Sequence, residues 1–327
     1  MKKKWLSPLA LIFAVLLFLA ACGGDDSEGG EEAGDPSTDP EMIQIATGGT
    51  SGTYYPLGGE MASIISDNTD VSADAISSNA SAENVLSLEN GDIEIAFVQT
   101  DVVAHGVEGI NAFEDETVEN VQAMGSLYPE TIQIVTTDDT GIESVEDLEG
   151  MTVSVGAPGS GTYINAEQIL EVHGMSIDDI DAQNLDFDES TGGIQDGNID
   201  AAFITAGTPT GAVEGLTASV DVSIVPLEQD KIDELIDAYP YYAEDTVEEG
   251  TYGLDEDVGT VAVLAALAVN SSLSEDLVYE MTKAIYENAE GMAHDKASFI
   301  TPDSALEGID IEVHPGAQKY FDEEGIE

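Results

Sequence analysis

The chain has 327 residues, with 67 Asp plus Glu against seven Lys and no Arg, and a net charge of −60 at pH 7. With so few cations to neutralise phosphates, it has no basic patch for nucleic acid or for an anionic membrane surface. It is nonetheless 42% apolar and only 23% charged, so it can build a core, and its length suggests about two domains.

Acidity on this scale points to a halophilic or haloalkaliphilic source. At about 1 M salt the Debye length is only about 3 Å, and repulsion between carboxylates largely vanishes.

Lys2, Lys3 and Lys4 precede an apolar stretch over residues 9–19 that is too short to span a bilayer, so residues 1–21 read as a signal peptide. The stretch ends Leu19-Ala20-Ala21-Cys22 and resembles a lipoprotein cleavage site, with Cys22 as the lipid anchor. Cys22 is the only cysteine, which excludes a disulfide and any metal or redox site built on thiols. Residues 22–41 are mostly Gly, Asp, Glu, Ser, Thr and Pro and read as a flexible acidic tether, so the folded body begins near Glu41.

From Met42 a short alternating strand leads into the loop Gly48-Gly49-Thr50-Ser51-Gly52-Thr53-Tyr54-Tyr55. A helix-period run through Leu57, Met61, Ile64 and Ile65 follows. The same plan returns later: a strand at residues 151–155, the loop Gly156-Ala157-Pro158-Gly159-Ser160-Gly161-Thr162-Tyr163, and a helix through Ala166, Ile169 and Leu170. Ser-Gly-Thr-Tyr is identical in both loops. A second echo pairs residues 91–98 with residues 197–204 in nearly the same register. Two matches in order predict two α/β lobes. Each offers a helix N-terminus behind a Gly/Ser/Thr loop and a strand with a polar carboxyl end, Gln99-Thr100-Asp101 or Thr205-Ala206-Gly207-Thr208. Free N–H groups and the helix dipole at such ends favour anions, and two facing lobes make a cleft.

Farther on, residues 230–238 predict an amphipathic helix before a tyrosine-rich turn at Tyr239-Pro240-Tyr241-Tyr242. Residues 260–269 suit a buried strand returning to the first lobe. The last helix is expected to start at a capping box, Ser272 with Glu275, and to bury Leu277, Val278, Met281 and Ile285. Residues 131–137 and the Thr260 region are the candidate hinge strands. The expected organisation is residues 42–136 and 258–327 as lobe I and residues 137–257 as lobe II.

Six segments follow one family's pattern in order: GGTSGTYYPLGGEMA, IEIAFVQTD, SLYPE, VSVGAPGSGT, AAFITAGTPT and VHPGAQKYF. The chain resembles the TAXI-type solute receptors of TRAP transporters over residues 42–321. The resemblance implies a two-lobed type II periplasmic-binding-protein fold, a clamshell with two hinge strands that closes on a small organic acid or an amino acid such as glutamate. It implies delivery to TRAP permease subunits driven by an ion gradient, a lipid-anchored place outside the cytoplasm, a monomeric state, and no enzymatic activity or cofactor. Carried over by position, the ligand-facing residues are Gly49, Thr50, Ser51, Gly52, Thr53 and Tyr54 in the first loop, then Gln99 and Asp101. Tyr128, Gly159, Ser160, Gly161, Thr162, Asn165, Thr205 and Ala206 complete the set. Tyr128 and Asn165 rest on the resemblance alone. A carboxylate ligand is often clamped by Arg, and here there is none, so backbone N–H groups, hydroxyls and helix dipoles would hold it. Asp101 could pair with a ligand ammonium. The mature lysines, Lys231, Lys283, Lys296 and Lys319, are expected on surface helices away from the loops.

Other classes fit less well. A receptor for an ATP-driven importer shares the fold and the anchor, but the six segments favour the TRAP reading. A secreted hydrolase lacks support, because Asp139-Thr140-Gly141 has no second copy and no Gly-x-Ser-x-Gly elbow occurs. Neither glycine loop ends in the Gly-Lys of a phosphate loop. His105, His173, His294 and His314 show no ligand spacing and read as surface or packing residues. Acidic pairs such as Asp186 with Asp188, or Asp255 with Asp257, lack the full calcium-loop pattern and read as solvated faces.

Overall fold

The computed structural model describes residues 39–114 and 118–326. The signal peptide, nearly all of the tether and Cys22 lie outside the described residues. Among those described, no helix is long and apolar enough to cross a membrane. Asp39, at the end of the expected tether, accepts hydrogen bonds from the N–H and hydroxyl of Ser274.

The first echo unit forms strand β1 (Met42–Ala46), helix α1 (Tyr54–Asn68), β2 (Ser72–Ile76), α2 (Ser81–Glu89), β3 (Ile95–Gln99) and α3 (Thr100–Glu108). The second forms β5 (Thr152–Ser154), α4 (Gly161–Val172), β6 (Asp181–Gln183), α5 (Phe187–Gln195), β7 (Ala201–Ala206) and α6 (Gly211–Thr217). Between them runs the 17-residue β4 (Val121–Thr137). The chain closes with β8 (Val222–Ile224), α7 (Gln229–Ala238), β9 (Ala243–Val247), β10 (Val258–Asn270), α8 (Glu275–Asn288) and α9 (Pro315–Glu324).

The echo is realised as topology. Strands order as β2-β1-β3 in the first unit and β6-β5-β7 in the second, all parallel. β10 runs antiparallel beside β3, and β4 runs antiparallel beside β7, while β4 and β10 pair with each other from Asn270↔Val121 to Ala262↔Thr131. Each long strand thus belongs to both lobes. They are the two hinge strands of the clamshell; β10 nearly matches the buried strand expected over residues 260–269, whereas β4 begins ten residues before the expected 131–137.

Alternation along the strands sorts the core into layers. In β3, Ile95 and Phe97 pack with α1, α8 and α9, whereas Ala96 and Val98 face α2 and α3. In lobe II, Phe203 lies with α4 and α7, and Ala202 and Ile204 lie with α5 and α6. Each lobe is therefore a sheet covered by helices on both faces. The packing passes from one lobe to the other between Tyr128 and Ile132 on β4 and between Val263 and Ala265 on β10.

Two local expectations are corrected. The N-cap of α8 is Ser274, whose side chain accepts from Leu277 N–H, while Ser272 bonds Asn270 instead. Nor is α8 the last helix: the VHPGAQKYF segment forms α9, started by Pro315 and packed on α8 through Tyr320 and Phe321. Pro at the first helical position costs no hydrogen bond, so Pro315 can open this helix. Asp186 is spent as the N-cap of α5, in a capping box with Glu189.

Candidate functional site

The carboxyl ends of β1, β3, β5 and β7 converge on a cavity of about 60 Å³ between the lobes. Its walls include Gly49, Gly52, Thr53 and Tyr54 from the first loop, Gln99 from β3, Ser160, Gly161 and Thr162 from the second loop, and Thr205 and Ala206 from β7. The two echoed loops thus face each other across the space.

The lobes are in contact around it. The carbonyl of Ser51 accepts from Ala212 N–H at 3.1 Å, and that of Gly159 accepts from Ala82 N–H at 3.0 Å. Each Ser-Gly-Thr-Tyr region thereby gives a carbonyl to a helix N-terminus of the opposite lobe. Ile164 of α4 packs into the apolar cluster of α2 and α3, and His105 meets Tyr241 edge to face at 5.6 Å. Gly161 lies so close to Gln99 that a Cβ there would stand 2.1 Å from Oε1, so only glycine allows this approach. The conformation is closed.

The remaining expected residues stand around the cavity rather than in its wall. Thr50 is exposed at the loop tip, and Ser51 and Gly159 make the cross-lobe bonds just described. The side chain of Asn165 is consumed in a relay: Thr205 Oγ1 donates to its Oδ1, and its Nδ2 donates to the Tyr242 hydroxyl, which donates to Gln168. Tyr128 is buried two residues before Glu130, and burial together with that neighbouring carboxylate pushes its hydroxyl pKa up. Asp101 sits in the first turn of α3, 2% exposed, and neither carboxyl oxygen makes a hydrogen bond of normal geometry among the described residues. Burial raises its pKa to about 7, partly offset by the N–H groups of Val102 and Asp101.

Glu130 is a buried acid in the wall that the expected site residues did not include. It is 2% exposed on β4 and accepts a 2.7 Å hydrogen bond from the Tyr54 hydroxyl. Burial lifts its carboxyl to about 8, with Asp101 adding to the rise and the Tyr54 bond opposing it. Its signal was a lone acid inside a long apolar strand pattern. Ser78, Asn79, Ala80 and Ser81, leading into α2, and Asp186 and Phe187, opening α5, also line the cavity. No periodicity marks such connecting segments.

The cavity brings helix N-termini and a buried carboxyl together. The first turns of α1 and α4, like that of α9, carry no acidic residue, although those of α2, α3, α5, α6, α7 and α8 do. The N-termini of α1 and α4 thus reach the cavity with no acid in their own first turns, while Glu130, bonded to Tyr54, and Asp186, beside Gly49, bring carboxyl groups into the same wall.

The lysine expectation is corrected at one position. The stem of Lys296, from the segment after α8, packs across the lobes against Gly207, where an added Cβ would stand 2.7 Å from its Cγ and 3.1 Å from Thr53 Oγ1. Burial lowers its pKa, while Asp245, Asp295 and Glu248 oppose the shift. Lys296 is not part of the cavity wall.

A model of the NMT1-like family matches residues 45–325. The chain belongs to that family. A solved structure from Bordetella bronchiseptica RB50 resembles this NMT1-like protein with a TM-score of 0.54 and 17% identity, over 87% of this chain and 82% of that one. The periplasmic aliphatic sulphonate binding protein of Escherichia coli aligns at 13% identity and TM-score 0.42, over 87% and 84% of the two chains. An ABC uptake transporter substrate binding protein from Streptococcus pneumoniae with bound histidine aligns at 16% and 0.48, over 82% and 95%.

Proposed function

We propose that this protein is an extracytoplasmic receptor that encloses one small amino acid or organic acid between its lobes and hands it to a membrane permease, without chemical turnover. The observation that carries this reading is a cavity between the lobes that combines helix N-termini free of acid in their first turns with the buried carboxyl of Glu130. The acid-free N-termini of α1 and α4 suit a carboxylate, and Glu130 with Asp101 suits an ammonium. An α-amino acid such as glutamate carries both groups, so it ranks above a plain dicarboxylate. Residues 42–136 and 258–327 form one moving body in this reading and residues 137–257 the other, with β4 and β10 as hinges. Thr50, Ser51, Gly159, Asn165, Tyr128 and Asp101 act around the wall residues, closing or orienting the site.

The six segments shared with TAXI receptors support a TRAP-type permease as the partner and Cys22 as the lipid anchor. An ATP-driven importer is the alternative partner, distinguished by the neighbouring genes: a large fused permease for the first, an ATPase for the second. Titration calorimetry and small-angle scattering at high salt test the binding reading. One-to-one binding of glutamate or a related amino acid, with a fall in radius of gyration, is the expected result. If glutamate, 2-oxoglutarate, succinate and malate all fail to bind, the substrate class is wrong.

A further inference from the structure

Away from the cavity, at the opposite end of α4, three residues distant in sequence meet. His173 is the C-cap of α4, Glu228 the N-cap of α7, and Glu146 lies in the single-turn helix Val145–Leu148. Their ligand atoms all lie within 4.8 Å of one another. The imidazole is fully buried, while both glutamates reach solvent. Its Nδ1 lies 2.7 Å from the carbonyl of Ile169, which can only accept, so Nδ1 carries the proton. In the neutral ring, Nε2 is then a lone pair. It is buried without a hydrogen-bond partner among the described residues and faces Glu228 Oε2 at 3.7 Å. That distance is longer than a hydrogen bond, and a lone pair facing a carboxylate gains nothing without a cation between them.

We propose that Glu146, His173 and Glu228 form a binding site for a divalent first-row transition ion, Zn²⁺ being the reference ion. Imidazole nitrogen and carboxylate oxygen are both donors that such ions accept, and three of them leave a position for water. Tetrahedral donors at about 2.0–2.1 Å from zinc stand about 3.3 Å apart, and small rotations of the two exposed glutamates reach that spacing. The Nδ1–H···O=C bond supplies the outer contact that orients a ligating histidine and raises its basicity. Lys231 is the competing cation. Its ammonium bonds the Val172 carbonyl and Glu234 and also acts electrostatically on Glu146, but it leaves Nε2 unmet. The ion would tie α4, whose other end lines the solute cavity, to α7 and to the Val145–Leu148 turn.

The test is Zn²⁺ titration of the chelator-treated full chain at pH 7, with millimolar Mg²⁺ present to saturate weak sites on the acidic surface. One equivalent is expected to bind, with Nε2 of His173 shifting in nitrogen NMR. Glu228→Gln, an exposed change, is expected to weaken binding about tenfold or more without altering the metal-free melting temperature, and Glu146→Gln is expected to do the same. Equal Zn²⁺ affinity in wild type and Glu228→Gln overturns the site. So does a His173 ring that carries protons on both nitrogens at pH 7 and does not respond to Zn²⁺, because the group is then a direct imidazolium–carboxylate pair. His173→Gln adds a third reading where it folds, and the glutamate variants decide the matter where it does not.

Discussion

The hydroxyl of Tyr54, at the start of α1, donates a 2.7 Å hydrogen bond to Oε2 of Glu130 on β4, so the first echoed loop is tied to a carboxyl on a strand shared by both lobes. Burial makes the protonated form of that carboxyl the resting one near neutrality, with its pKa raised from 4.5 to about 8.

A pH dependence with a definite sign follows. Below about pH 4.5 Glu130 is protonated in both folded and unfolded chains and contributes no slope. Between 4.5 and about 8 only the unfolded chain loses the proton, so this residue's contribution to stability falls as pH rises, and it levels off above 8. Glu130→Gln is expected to gain melting temperature relative to wild type across that window, measured by thermal scans at a series of pH values. A constant difference between the two proteins would contradict the shift.

The same residue predicts proton release. An ammonium ligand pairs with ionised Glu130, so amino-acid affinity should rise with pH through about 8, and binding at pH 7 should expel a proton. Calorimetry in buffers of different ionisation enthalpy reads that proton. Glu130→Gln should lose the release and weaken binding about tenfold or more, the scale of a charge-assisted hydrogen bond.

Gly161→Ala is expected to harm binding through Gln99. The new Cβ would meet the Gln99 side-chain carbonyl and push it into the solute space. Affinity should fall with the melting temperature of the ligand-free protein nearly unchanged, and Gln99→Ser in the same chain should restore much of it. Failure of that rescue in a double-mutant cycle would show that the close approach does not govern closure.

Tyr54→Phe and Ser160→Ala separate site from scaffold. The Tyr54 ring is buried against Phe97, so truncation to alanine would open a core cavity, whereas phenylalanine removes only the hydroxyl. Ser160 caps α4 by accepting from Tyr163 N–H, and its loss should cost about 1 kcal/mol. Both variants should bind the solute more weakly. Unchanged affinity in both would remove these loops from the site.

Acidic self-repulsion predicts that melting temperature climbs with NaCl toward molar concentration, because screening acts on a net charge of −60. A flat salt response would end the halophilic reading.

What the amino-acid sequence determined by itself was whatever depends on near neighbours. Alternating apolar residues gave β1, the second echo gave β3, the repeated Ser-Gly-Thr-Tyr announced two equivalent strand–loop–helix units, and both proved to have the same strand order. Short-range chemistry also misled: Ser272 looked like a cap that Ser274 provides, and the helix taken as the last is followed by α9. Tertiary structure alone decided which distant residues meet. Glu130 reaches the cavity because β4 crosses between the lobes, Lys296 lies on Gly207 because the chain returns to lobe I, and Glu146, His173 and Glu228 meet although 27 and 55 residues separate them in sequence. Periodicity records which face of an element is buried. It carries no record of what another segment brings to that face, because the sheet order sets those meetings.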